Sequence, residues 1–139
     1  MDDALKGIVM LGWLEADGLN GEPLGAAFET ERDDSIRTLM RRCTGRAAAD
    51  LAGVAETRGM FHRLGVDPTK TRPASEALLR RVLQGKGLPA ILPAVDVCNL
   101  ASLEAQLPLG LYDRTHVKGP VFARMGRPGE GYEGIRKTS

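Results

Sequence analysis

Apolar residues recur at the spacing of one helix face in three stretches of the chain. In chain order the periodic positions are Ile36, Leu39 and Met40; Leu51, Val54, Met60 and Phe61; and Leu78, Leu79, Val82 and Leu83. Asp33 or Asp34 can cap the start of the first stretch, Pro73 suits the first turn of the third, and Gly45, Gly65 and Gly85 follow the three ends. These patterns predict helices from Asp33 to Gly45, over 47–64 and over 73–84. A less regular pattern after Pro93 predicts a fourth helix over 94–106.

Two further stretches have the composition of β-strands. Gly7 to Trp13 is apolar and β-branched and precedes an Asn20-Gly21 turn signal, and residues 121–125 form a shorter apolar run near the C-terminus. We therefore expect an α+β fold, with a mixed β-sheet covered on one side by three or four helices. At 139 residues, the chain is expected to form a single domain over 1–139.

Composition narrows the classes of function. The longest apolar run, Ile8 to Leu14, is too short for a signal core or a membrane span, so we expect a cytoplasmic protein without a membrane partner. Cys43 and Cys98 have neither disulfide nor metal-ligand spacing. We accordingly expect reduced thiols, no metal site and no cofactor.

The net charge of +1 conceals an uneven distribution. Residues 1–34 carry nine acidic and two basic side chains, a net charge of −7, so the remaining residues carry +8. Seven bases and only two acids lie between Arg58 and Lys86. This basic stretch fits either a phosphate-binding surface or a solvated helix face that the acidic N-terminal third balances. No DNA partner is expected.

The stretch from residue 58 to 113 carries a family resemblance. Its landmarks are Pro73, Leu79, Arg81, Gly87, Ile91, the run Val95-Asp96-Val97-Cys98-Asn99 and the run Leu107-Pro108-Leu109-Gly110-Leu111-Tyr112-Asp113. This text resembles the B3/B4 domain of the bacterial phenylalanyl-tRNA synthetase beta chain, and still more the free-standing B3/B4-like proteins. The resemblance implies a single B3/B4-like α+β domain, and we expect the family's C-terminal part to have no counterpart in this chain.

The resemblance also implies a site. In the synthetases this domain edits, hydrolysing the ester of tRNA that carries the wrong aromatic amino acid, chiefly tyrosine. The positions that match the family's amino-acid pocket are Cys98, Asn99, Pro108 and Gly110. Gly110 stands where the family has a histidine, and His116 is the nearest residue that could replace that imidazole. Asn99 and His116 are therefore the candidate catalytic residues.

Three functions remain open at this point. The first is a free-standing editing module that binds aminoacyl-tRNA, with phosphate contacts from Lys70, Arg72, Arg80 and Arg81. The second is a small-molecule enzyme of specialised metabolism that uses the same pocket for a free amino acid, such as an aromatic one. The third is a non-catalytic module that binds tRNA or protein. The sequence leaves the oligomeric state open.

Overall fold

A computed structural model describes residues 1–131 of the chain, and this part contains four α-helices. They are α1 (Ala26–Arg42), α2 (Ala52–Arg63), α3 (Ala74–Leu83) and α4 (Pro93–Ala105). Single 3₁₀ turns occur at Asp3–Leu5, Ala48–Asp50 and Arg114–His116. Residues 1–131 contain no β-strand. The fold of this part is all-α.

The expected α+β fold with a mixed β-sheet is therefore wrong, although the expected number of helices is confirmed. The two predicted strands, Gly7 to Trp13 and residues 121–125, both lie in irregular backbone. A strand is stable only when a neighbouring strand pairs with its backbone N–H and C=O groups, whereas a helix pairs its own. A strand-like composition predicts a strand only where the rest of the chain supplies that neighbour.

The ends of α2 and α3 agree with the sequence pattern. Gly65 and Gly85 follow these helices with φ angles of +72° and +74°, which favour glycine. The next N–H group then reaches back to close each end, from Val66 to the Phe61 carbonyl at 2.9 Å and from Lys86 to the Arg81 carbonyl at 3.1 Å. The beginning of α4 at Pro93 was also correctly predicted.

Helix α1 begins earlier than predicted. It starts at Ala26, so Asp33 and Asp34 lie inside it rather than at its cap. They pair there with arginines of the same helix, Asp33 with Arg32 and Asp34 with Arg37. The residues from Ala26 to Arg32 include several good helix formers, which extend the helix without a side-chain cap.

A small aliphatic core joins the four helices. Its buried members are Leu39 of α1, Cys43 directly after α1, Ala48 and Leu51 before α2, Val54 of α2, Leu79 and Val82 of α3, and Leu103 of α4. Ile36, Leu78, Leu83 and Leu88 pack against it. The apolar stripe predicted for α3 is thus the stripe that faces the core. Cys43 and Cys98 are both free thiols.

Two long segments lie outside the helices. We call residues 1–24 the N-terminal arm and residues 107–131 the C-terminal arm. The Asp2 N–H donates to the Ala123 carbonyl at 2.9 Å, and Arg114 pairs with Glu15 at 2.8 Å and Asp17 at 2.9 Å. Because earlier residues of one arm meet later residues of the other, the arms run in opposite directions.

Candidate functional site

The basic stretch is organised around one buried carboxylate. Glu76 lies in the first turn of α3 and is 0% exposed. Arg58 of α2 donates to both its oxygens at 2.8 Å, Arg80 donates to Oε1 at 2.8 Å, and the Arg72 Nε lies 4.0 Å from Oε1. The hydrogen bonds from Arg58, followed by those from Arg80, keep the pKa of Glu76 below its usual range despite burial.

This cluster carries more positive charge than Glu76 can neutralise. Three guanidinium groups surround one carboxylate, which leaves a net charge of +2. Arg72 and Arg80 remain about half exposed, so they present this charge to solvent. Arg72 and Arg80, two of the four predicted tRNA-binding residues, are therefore also ion-pair partners of the buried Glu76.

The other two predicted phosphate contacts, Lys70 and Arg81, lie on the surface next to this cluster in sequence. Lys70 is exposed at the end of a turn in which Asp67 accepts hydrogen bonds from the Thr69 hydroxyl and N–H, and these bonds lower the pKa of Asp67. The Arg81 Nε donates to the Gly87 carbonyl at 3.0 Å. Of the four predicted phosphate contacts, Lys70 is thus the side chain most available to an anionic partner.

Arg58 was not among the predicted site residues. The spacing of Arg72, Glu76 and Arg80 by four positions is a local signal for ion pairs on a helix face. Arg58 is 18 positions away from Glu76, and only the tertiary structure brings these two side chains together.

The residues predicted to form an amino-acid pocket lie on α4 and just after it. Cys98 and Asn99 are half-buried on α4, Pro108 is half-buried, and Gly110 is exposed. The chain leaves α4 through Gln106, whose φ is +55°, and the Ser102 hydroxyl fixes the exit by donating to the Leu107 carbonyl at 2.6 Å. The two cavities described below are lined by none of these four residues.

The space beside Gly110 is filled. A Cβ atom at Gly110 would lie 3.2 Å from the Tyr112 ring and 3.6 Å from its hydroxyl oxygen. At the position where the family has a histidine, the aromatic ring of Tyr112, itself 81% exposed, thus stands against the Gly110 backbone.

His116 is held by a carboxylate. Its Nδ1 lies 3.0 Å from Asp113 Oδ2, and the hydrogen bonds that Asp113 accepts from Thr115 lower the pKa of that carboxyl. This arrangement orients an imidazole as a general base requires, but the His116 side chain is mostly exposed. It could act only on a substrate that covers it.

A cavity of about 370 Å³ lies between the beginning of α1 and the loop before α4. It is lined by Gly21, Pro23, Leu24, Phe28, Glu29, Arg32, Leu88, Pro89, Ala90, Ile91, Leu92, Pro93 and Asp96. The Asp96 carboxylate accepts the Ile91 N–H at 2.9 Å. Apolar walls with a few charged groups are typical of small-molecule sites.

A second cavity of about 170 Å³ lies beside the core and is lined by Leu39, Arg42, Cys43, Arg46, Leu51, Ala52 and Gln106. Over the described part of the chain, no group of three or more His, Cys, Asp or Glu side chains could hold a metal ion. No helix there combines the length and the apolarity needed to cross a bilayer.

Comparison with known proteins gives a consistent result. Residues 56–139 match the model of the B3/4 domain. The chain is 34% identical over 113 residues to the phenylalanine–tRNA ligase beta subunit of Thermobifida fusca (strain YX), covering 79% of this chain and 13% of that protein. It is 46% identical over 52 residues to the corresponding subunit of Mycobacterium leprae (strain TN), covering 37% of this chain and 6% of that protein.

A third relative gives a similar match. The phenylalanine–tRNA ligase beta subunit of Dechloromonas aromatica (strain RCB) is 41% identical over 58 residues, which are 42% of this chain and 7% of that protein. The chain thus spans only a small part, 6 to 13%, of the length of these curated relatives. No solved structure matches the sequence.

Proposed function

The chain belongs to the B3/4 domain family, related to phenylalanine–tRNA ligase beta subunits, and from that premise we propose that it binds aminoacyl-tRNA through its basic surface. The basic surface consists of Arg58, Lys70, Arg72, Arg80 and Arg81. The observation that carries this proposal is the excess charge around Glu76. One buried carboxylate accepts hydrogen bonds from Arg58 and Arg80 and has Arg72 4.0 Å away, which leaves two positive charges for an anionic partner. Phosphate oxygens suit such planar, partly fixed guanidinium groups.

The aminoacyl end would then lie at Cys98, Asn99, Pro108 and Gly110, as the family resemblance implies. The Asn99 amide can donate to the carbonyl of the ester and accept from the amino group. In the hydrolysis that we propose, water adds to the ester carbonyl, the bond to the ribose oxygen breaks, and that oxygen takes up a proton. His116, oriented by Asp113, is the candidate base for the water.

Binding is tested by removing charge without exposing Glu76. The Lys70→Ala/Arg81→Ala variant keeps Arg58 and Arg80 in place, and we expect it to bind tRNA several-fold more weakly and with a shallower salt dependence, because fewer counterions are released. The matched control is Arg41→Ala/Arg42→Ala, which loses the same charge from the exposed end of α1. Equal weakening in both variants, or no binding by the wild type at low salt, would contradict the proposal.

Catalysis is tested separately with tyrosine-charged tRNA. If the proposed pocket acts, Asn99→Ala and His116→Ala should each slow release of the amino acid while tRNA affinity stays the same. Binding without any hydrolysis by the wild type would instead identify a non-catalytic tRNA-binding module.

One observation favours a second candidate, the binding of a free amino acid. The 370 Å³ cavity is lined by Arg32, Glu29 and Phe28. Arg32 already pairs with Glu29 at 2.5 Å and with Asp33 at 2.9 Å, so the carboxylate and ammonium groups of a free amino acid would exchange with the Arg32–Glu29 pair, and Phe28 would contact its apolar side chain. Calorimetric titration with free phenylalanine and tyrosine tests this candidate, with Arg32→Ala and Asn99→Ala as variants. Binding that only Arg32→Ala abolishes would assign the ligand to this cavity, and loss in Asn99→Ala alone would assign it to the α4 pocket.

A further inference from the structure

The two arms expose an unusual amount of apolar surface. Met10 is 97% exposed, Leu14 91% and Trp13 75%. In the C-terminal arm the exposed large apolar residues are Leu107, Leu109, Leu111, Tyr112, Val117, Val121 and Phe122. Exposed apolar residues in such number are typical of an interaction site in soluble proteins.

The total solvent-accessible surface of the chain shows how much area is left exposed. The chain exposes 10,574 Å², whereas a compact monomer of 14.9 kDa exposes roughly 7,000 Å². Full exposure of residues 132–139 would supply only about 1,300 Å² of this excess at the value for an extended chain. The remainder, about 2,000 Å² on one copy, is well above the roughly 800 Å² that each partner of a stable complex buries.

The charges of the two arms indicate which kind of partner fits them. The N-terminal arm carries five acidic and one basic side chain, a net charge of −4, and the C-terminal arm carries four basic and two acidic, a net charge of +2. The arms run side by side and are linked by Arg114 to Glu15 and Asp17. A surface with one acidic and one basic strip is complementary to itself after a two-fold rotation.

We propose that the arms form a two-fold interface with a second copy of this chain. In this dimer the acidic N-terminal arm of each copy lies against the basic C-terminal arm of the other. Met10, Trp13 and Leu14 become buried at the centre. Arg114 can pair with Glu15 and Asp17 of the other copy instead of those of its own chain. Such an exchange of equivalent contacts between two copies costs little free energy. The helical core takes no part in the interface.

The molar mass in solution tests the proposal first. Light scattering should give about 30 kDa, twice the 14.9 kDa of the chain, across the micromolar range. Met10→Asp/Leu14→Asp should raise the dissociation constant at least about 100-fold, because buried Met and Leu side chains each contribute at both halves of the interface. Met40→Asp is the control, since Met40 is exposed on α1, outside the arms, and this variant should remain dimeric.

Trp13 offers an independent readout because it is the chain's one tryptophan. Its emission should shift to shorter wavelength as the wild type associates on concentration, and should stay constant in Met10→Asp/Leu14→Asp. Circular dichroism establishes that this variant keeps its helices. A 14.9 kDa wild type with concentration-independent emission, or a variant that stays fully dimeric, would overturn the proposal.

Charge reversal tests the arrangement of the two strips. Glu15→Lys/Asp17→Lys and Arg114→Glu/Lys118→Glu should each weaken self-association, since each places like charges opposite one another. A mixture of the two variants should form a heterodimer, because each reversed strip then meets its complement. Failure of the mixture to associate more strongly than either variant alone would disprove the proposed pairing of the arms.

Discussion

The helical core and the arms contain the same kinds of apolar residue in opposite environments. Leu79 of α3 is 1% exposed, whereas Leu14 of the N-terminal arm is 91% exposed. Leu79 belongs to a helix that satisfies its own backbone and packs against three other elements of the core. Leu14 belongs to irregular backbone, and residues 1–131 contain no strand that could pair with it. Hydrophobic side chains favour burial everywhere, but a segment becomes buried only where its backbone groups also find partners.

We expect the largest loss of stability from a substitution in the helical core. Leu79→Ala should lower the free energy of unfolding by about 4 kcal/mol, because it removes buried methyl groups and leaves a cavity that the helices cannot close. Leu19→Ala, in the exposed N-terminal arm, should change it by less than about 0.5 kcal/mol. Denaturant unfolding measures both. A similar loss in the two variants would mean that the arms are part of the folded core.

The buried ion cluster should give the next largest effect. Glu76→Gln should destabilise the chain by about 3 kcal/mol at pH 7, since the arginines around it lose their counter-charge. The arm ion pair of Arg114 is the control, because Arg114→Ala removes an exposed pair that contributes at most about 1 kcal/mol.

The cluster also makes a prediction about pH. In the folded chain the pKa of Glu76 lies below its ordinary value of 4.5. The ionised carboxylate therefore stabilises the fold fully above pH 4.5, and that stabilisation is lost as pH falls through the folded pKa. Thermal melts of wild type and Glu76→Gln should thus converge under acid conditions. A constant difference down to strongly acid pH would show that the carboxylate charge is not what stabilises the cluster.

A smaller effect is expected where α2 meets the end of α4. A Cβ atom at Gly53 would lie 2.7 Å from the Gln106 Cβ and 2.8 Å from its Oε1, so Gly53→Ala should cost about 2 kcal/mol through overpacking. Gly59→Ala on the same helix meets only the Arg63 Nη1 at 3.6 Å and should be stabilising by up to about 1 kcal/mol.

The double variant Gly53→Ala/Gln106→Gly shows whether the clash is the cause. Removing the Gln106 side chain frees the space and also replaces a residue with a φ of +55° by glycine. Chemical unfolding should show most of the stability restored. If the double variant remains as unstable as Gly53→Ala, Gln106 is not the residue that limits the space.

In the candidate site, as in the fold, the sequence predicted some features and only the structure revealed the others. The sequence already placed Arg80 and Arg81 on a basic helix with Arg72 just before it, and aligned Asn99 with the family's pocket. It did not find Arg58, which reaches Glu76 from another helix, nor the cavity shared by Arg32 and Asp96. The role predicted for Cys98, Asn99, Pro108 and Gly110 stays a prediction.

The sequence by itself determined the interactions that are local in the chain. The apolar stripe of α3, the glycine ends of α2 and α3 and the start of α4 at Pro93 all depend on residues within a few positions of one another. Family membership was also legible in the residues themselves. Only the tertiary structure decided whether Gly7 to Trp13 became a strand, that Arg58 reaches Glu76 and why Gly53 must lack a side chain. Each of these depends on a partner many positions away, and local sequence does not specify which distant segment will occupy the neighbouring space.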